Sequence, residues 1–315
     1  MIDFKSRVYG GVIGSCVGDA LGVPVEFKSR ASLHLNPVKE MIGFGTYNQP
    51  PGTWSDDSSL TFCTMESLCG GYQLEDIARN FGKWRNESFW TPYGIVFDIG
   101  ISTNKAIIKL SSVKNPIQAG NTEENSNGNG SLMRILPLAF YFKKISPDER
   151  FLKTKEVSSI THAHTRSVMA CVIYIEFATL LLEGIDKYSA YQETLKIADA
   201  LFKNSQVKNS EFEPFKRIFD GQIQTLDENR VSSSGYVIDS LEVAFWSLLT
   251  TSDYKQAVLK AINLGGDTDT NGAITGGLAG LYYGYDSIPK EWIKKLARLN
   301  DITKLTERFF TSINS

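Results

Sequence analysis

The segment NLGGDTDTNGAITGGLAG, residues 263–280, sets two aspartates and two threonines in alternation directly before a small, apolar helical run. Asp267, Thr268, Asp269 and Thr270 admit two readings. Asp and Thr oxygens cap the free amides of a helix start and interact well with its dipole. The same oxygens are also the donors that a hard divalent cation prefers. The choice between them depends on what else the chain can bring to the same place.

Helical spacing dominates elsewhere too. SLTFCTMESLCGG, LEDIARNFGKW, TRSVMACVIYIEFATLLLEG, SAYQETLKIADALFK, GYVIDSLEVAFWSLL and DYKQAVLKAINLGG place apolar residues three and four apart, and several end in glycine. Regularly spaced alternating strand segments are absent, so the chain reads as one all-α domain, residues 1–315, of roughly a dozen helices. Two stretches rich in Gly, Pro, Asn and Ser, residues 28–55 and 111–130, are long for connections in a compact domain. Each runs directly into a motif that carries chemistry.

Composition narrows the function. Apolar residues make up 42% and charged residues 22%, as in soluble globular proteins, and the net charge is -2, so no basic field draws the chain to nucleic acid or an anionic membrane. The apolar run Val168–Leu182 is short for a bilayer span and contains Glu176. Four cysteines in apolar segments without CxxC spacing read as free thiols suited to a reducing cytoplasm. The expectation is a soluble cytoplasmic monomer.

A second acidic cluster, Ser55, Asp56 and Asp57 in GTWSDDSSLTF, also precedes a helix. One helix start needs one or two capping oxygens, whereas the two clusters together offer four carboxylates and several hydroxyls. Oxygen donors of this kind suit Mg²⁺, Mn²⁺ or Ca²⁺, and His and Cys at zinc spacing are missing. If both helix starts faced one pocket, divalent cations would offset the mutual repulsion and could hold a substrate diol or activate water. Spacing alone leaves that convergence open.

GGVIGSCVGDALGVPVEF, residues 10–27, repeats glycine at 11, 14, 18 and 22, which suits close helix packing. Asp19 and Glu26 stand in this otherwise apolar stretch, where a carboxylate needs a partner, either a ligand or backbone amides. ENSNGNGSLMR is a flexible loop feeding a helix, an arrangement that accommodates phosphate. The histidines at 162 and 164 fit a ligand, a ribose contact or a structured turn.

In this order, GDALGVPVEF, WSDDSSLT, FDIGIST, GNGSLMR, THAHTRS, GYVIDSLEVAFW and NLGGDTDTNGAITGGLAGLYYG resemble the ADP-ribosylglycohydrolase family, over residues 10–285. The resemblance implies a single-domain orthogonal multi-helix bundle with two divalent cations, Mg²⁺ or Mn²⁺, acting on an ADP-ribosylated protein to release ADP-ribose. It places metal ligands at Ser55, Asp56, Asp57, Asp267, Asp269 and Thr270, and catalytic carboxylates at Glu26, Asp56, Asp57 and Asp269. Substrate contacts fall on Asp19, Asp98, Gly100, Ser126, Asn127, Gly128, Asn129, His162 and Tyr236. Arginine-linked ADP-ribose is the expected substrate. The alternatives are serine-linked ADP-ribose, poly-ADP-ribose or another conjugate, and a non-catalytic binding or structural homologue like the lens crystallins that resemble this family.

Overall fold

Asp3 begins the first helix by accepting the amide of Ser6 at 2.6 Å. From there a computed structural model describes residues 2–314 as helices joined by loops. Among them stand eleven helices of nine residues or more and five shorter ones, without a β-strand. The all-α expectation holds. Five helices carry the site: α1 (Phe4–Gly22), α2 (Asp56–Cys69), α3 (Ile101–Lys109), α4 (Val237–Leu249) and α5 (Thr268–Tyr283).

α1 and α5 run antiparallel, backbone against backbone. A Cβ on Gly10, Gly14 or Gly18 would lie 2.1, 2.5 or 2.0 Å from the carbonyl oxygens of Gly280, Gly276 and Gly272. Those three glycines in turn face the carbonyls of Gly10, Gly14 and Gly18. At the end of the seam, Gly22 leaves no room for a Cβ beside the Asp269 backbone, at 2.3 Å. The sequence put Gly11 on this face, but it points to Phe140 instead, and the seam repeats every fourth residue from Gly10. Each interior helical glycine costs about 1 kcal/mol relative to alanine. Close packing and hydrogen bonds across the seam offset that cost. Tyr254 donates to the Gly14 carbonyl at 2.7 Å, Tyr174 to Ile274 at 3.0 Å and Thr268 to Gly22 at 2.8 Å.

The buried apolar side chains form one cluster from Val8 to Ile313. Residues Phe4–Val25 and Thr165–Leu182 have the length and hydropathy of membrane spans, yet both are largely buried against other parts of the protein. The second is longer than the apolar run seen in the sequence, and its Glu176 pairs with the buried Arg150 at 2.6 Å. The four cysteines are free. In the segment 200–235, Phe212 and Phe219 pack on Phe202.

The seam yields a stability prediction. Gly18→Ala must push two backbones apart and should cost about 3 kcal/mol in urea unfolding. Gly82→Ala, where nothing lies within 4 Å of the new methyl, should gain up to about 1 kcal/mol. Equal effects would remove the seam from its place in the fold.

Candidate active site

The seam sets the C-terminal end of α1 against the N-terminal end of α5, and α2 starts at the same point. Asp19 makes that third junction. Its carboxylate accepts the amide of Ser55 at 2.9 and 3.1 Å, and the amide and hydroxyl of Ser58 at 3.1 and 2.5 Å. It is wholly buried with both oxygens engaged, so its place is behind the site, anchoring α2, rather than against substrate as the sequence suggested.

The two acidic stretches meet. Carboxylate oxygens of Asp19, Asp57 and Asp269 lie within 4.8 Å of one another, as do those of Glu26, Asp267 and Asp269. Asp269 belongs to both groups. Capping explains only part of this arrangement. Ser55 caps α2 through its hydroxyl, but the Asp267 side chain makes no capping bond to α5. Asp57 accepts the hydroxyls of Ser55 at 2.9 Å and Thr270 at 3.3 Å, both on Oδ2. Its Oδ1, both oxygens of Asp269 and one of Glu26 are buried without a partner. Buried carboxylate oxygens are costly unless something positive meets them. Both groups consist of carboxylate oxygens alone, so the set fits hard divalent cations.

Burial pushes these carboxyls above the ordinary range, and their mutual charge adds to it. Glu26 is raised to about 8 by burial and then by Asp98. Asp56, Asp57 and Asp269 are raised well above the usual carboxylate value, burial again coming first.

Above the carboxylates opens a cleft of about 300 Å³. Glu26, Asp56, Asp98, Gly100, Gly128, Asn129, His162, Asp267 and Thr270 line it, all of them singled out in the sequence. Gly265 and Gly266 (φ +75° and +73°) turn the chain into this position, and a Cβ on Gly266 would meet the Ser233 carbonyl at 2.4 Å. Asp98 holds the left-handed backbone at φ 50°, unusual for a residue with a side chain. Asn129 spends its amide on Asp267 and Ser240, both at 2.8 Å, and so ties the glycine loop to the acidic floor.

Three further expected contacts lie off the cleft wall. Asn127 is buried, donating to the Glu124 carbonyl at 2.9 Å and accepting the Ser167 hydroxyl at 3.0 Å. Ser126 is also buried, and Asn125 takes the place on the wall. Tyr236 begins α4 beside Arg166, whose charge opposes the rise that burial gives its hydroxyl.

Sequence reasoning missed Ser102 and Thr103, although both stand in the FDIGIST segment and line the cleft. It also missed Tyr47, whose ring packs on Phe97 at 5.2 Å and whose hydroxyl lies beside Glu26 and Asp98. Only the length of the stretch 28–55, read as one connection although Arg30–Leu35 is helical, hinted at a role for it.

With this geometry in view, similarity to known proteins is informative. The family described as ADP-ribosylglycohydrolase matches residues 1–315, and the chain belongs to that family. ADP-ribosylarginine hydrolase Tri1 of Serratia proteamaculans is 31% identical over 307 residues, covering 96% of this chain and 79% of the relative. ADP-ribosyl-[dinitrogen reductase] glycohydrolase of Rhodospirillum rubrum is 28% identical over 299 residues, covering 92% and 90%. A solved structure described as an ADP-ribosylglycohydrolase-related protein complex superposes with a TM-score of 0.82 at 27% identity, covering 98% of this chain and 99% of that one.

The carboxylate cluster predicts an inverted pH response. A carboxyl whose value rises on folding holds a proton that the unfolded chain releases near pH 4. Its contribution to stability is therefore present at low pH and lost as pH climbs toward about 8, the value for Glu26. In EDTA, the melting temperature should fall between about pH 5 and pH 8. Mg²⁺ should raise it more at the higher pH, and Asp269→Asn should flatten both responses. A melting temperature that climbs through this window in EDTA would contradict the assignment.

Proposed function

We propose that this protein hydrolyses the N-glycosidic bond of ADP-ribosyl-arginine on modified proteins, with Mg²⁺ or Mn²⁺ held by Ser55, Asp56, Asp57, Asp267, Asp269 and Thr270. The observation that carries the reading is the pair of three-carboxylate groups sharing Asp269, with unpartnered oxygens under a cleft walled by a glycine loop. Two divalent cations bound there would supply the positive charge that orients ribose hydroxyls and makes water more acidic.

The residues of the chain account for the remaining requirements. Cleavage passes through an oxocarbenium-like state, in which positive charge grows on the sugar and the carbon–nitrogen bond lengthens. Acidic side chains around the cleft favour that charge. The charge of bound cations would keep Glu26 ionised; water attacks the anomeric carbon, its proton passes to the free Glu26 carboxylate oxygen, and the guanidine nitrogen departs with the bonding pair and takes up that proton. Asp98, at the edge of the same cleft, pairs with the guanidinium. The glycine loop and His162 receive the ADP-ribose moiety.

A protein-borne substrate suits the mouth of the cleft. Phe27 and Ile101 both line it and remain 69% and 76% exposed. Such a rim suits contact with a protein surface beside the modified arginine better than capture of a free, highly charged nucleotide.

Incubation with arginine-linked, serine-linked and polymeric ADP-ribose, with and without EDTA, tests the proposal by mass spectrometry. Arginine-linked ADP-ribose should be released, and EDTA should abolish release. Glu26→Gln should lower kcat about 10²–10⁴-fold with the circular dichroism spectrum unchanged. Preferential release from serine, or full activity in Asp269→Ala, would overturn the assignment.

A further inference from the structure

Behind the glycine-loop wall lies a cation that no acid among the described residues neutralises. Arg134 is 0% exposed. Its Nη2 donates to the Val157 carbonyl at 3.2 Å and to the Thr161 hydroxyl at 2.8 Å, while Nε and Nη1 are buried without an acceptor. Among the described residues no carboxylate forms an ion pair with it, and the guanidinium instead lies 4.5 Å from the centre of the Phe81 ring. A cation–π contact contributes about 2 kcal/mol when desolvated. Burying an unpaired ion costs several. Packing alone does not account for an arginine here. Burial lowers its pKa only to about 10, so it stays charged at neutral pH.

Thr161 connects this charge to the cleft. The threonine is itself 0% exposed, and its hydroxyl lies 2.9 Å from Nδ1 of His162. The hydroxyl accepts from Arg134 and has one proton to give. If Nδ1 carried a proton, it would donate to the hydroxyl, whose own proton would then have no acceptor in a dry site. If the hydroxyl donates to Nδ1, the hydroxyl and Nδ1 are both satisfied, and the ring proton sits on Nε2. That nitrogen faces the glycine loop, 3.4 and 3.7 Å from where Cβ atoms on Gly130 and Gly128 would stand.

We propose that Arg134 is a positioning residue acting through Thr161, fixing His162 as a neutral imidazole whose Nε2–H points into the cleft as a hydrogen-bond donor. The identity of the acceptor, a ribose hydroxyl or a phosphate oxygen, rests on the function proposed above; the tautomer does not. Burial and the nearby Arg134 charge push the His162 pKa down to about 3, consistent with a ring that stays neutral. A neutral donor presents the same hydrogen to substrate at any physiological pH.

Nitrogen-15 NMR of histidine-labelled protein reads this directly, because the chain has only three histidines and His162→Gln identifies the signal. The substrate-free protein should show a single Nε2–H tautomer that remains neutral down to about pH 5. Thr161→Val, close to the native side chain in shape, should give mixed tautomers and raise KM for ADP-ribosyl-arginine about 10-fold, the equivalent of one lost hydrogen bond, with kcat little changed. Arg134→Met should let His162 protonate at a higher pH. If that variant does not fold, Thr161→Val alone decides the question. An Nδ1–H ring in the wild type, protonation near pH 6.5, or a Thr161→Val variant with unchanged tautomer and KM would each overturn the proposal. A protein that shows the expected tautomer yet leaves ADP-ribosyl-arginine intact would overturn the proposed function instead.

Discussion

The contact on which the site depends is the backbone-to-backbone approach of α1 and α5. Carbonyl oxygens of each helix occupy the space where the other would carry side chains, so neither can slide by a residue without collision. Such a seam supports weak Cα–H···O contacts along its length, but its main effect is registration. It fixes Asp269 against Gly22 and so holds the two ends of the chain, more than two hundred residues apart, in a single relation. Asp19 then draws α2 to the same point through its bonds to Ser55 and Ser58. Three helix ends converge because one seam and one carboxylate leave them no other place.

That convergence is unfavourable by itself. Carboxylates crowded in a dry pocket lose water and repel one another, and the raised affinity of Glu26, Asp56, Asp57 and Asp269 for protons comes first from burial and then from that repulsion. A chain selected only for stability would place apolar side chains here. The core can carry the strain because it is large, with Trp54, Trp84, Trp292 and many phenylalanines fully buried. Stability is thus generated across the whole chain and spent at one junction, as functional sites commonly require.

Much of this was legible in the sequence because it depends on local pattern. Helix spacing, glycines every third or fourth residue, and acidic residues ahead of apolar runs are short-range signals, and they identified the architecture and both acidic clusters. What escaped depends on direction in space. Gly10 rather than Gly11 lies on the seam because helix phase is fixed by the partner, which a single helix does not reveal. Asp19 and Asn127 look like ligands in sequence, but their side chains turn toward amides and hydroxyls inside the protein. Tyr47 reaches the site from a loop whose composition says only that it is not helical, and its direction depends on a ring contact with Phe97 fifty residues away.

The cleft that results is electrically divided. Glu26, Asp56, Asp98 and Asp267 line its acidic part, while its glycine-loop wall carries His162, backed by the buried charge of Arg134. ADP-ribosyl-arginine, the substrate proposed above, is divided in the same way, with a diphosphate on one side of the reacting ribose and a guanidinium on the other. A uniformly acidic cleft would repel the diphosphate, and a uniformly basic one would repel the guanidinium. On the function proposed above, the charge of Arg134 would offset this conflict from behind the wall. In a low-dielectric interior its field reaches the cleft, while its Nη2 is held by the Val157 carbonyl and the Thr161 hydroxyl. An arginine exposed in the cleft would instead pair with the nearest carboxylate and remove a ligand from the floor. Burial of the positive charge therefore keeps the two halves of the site from neutralising each other.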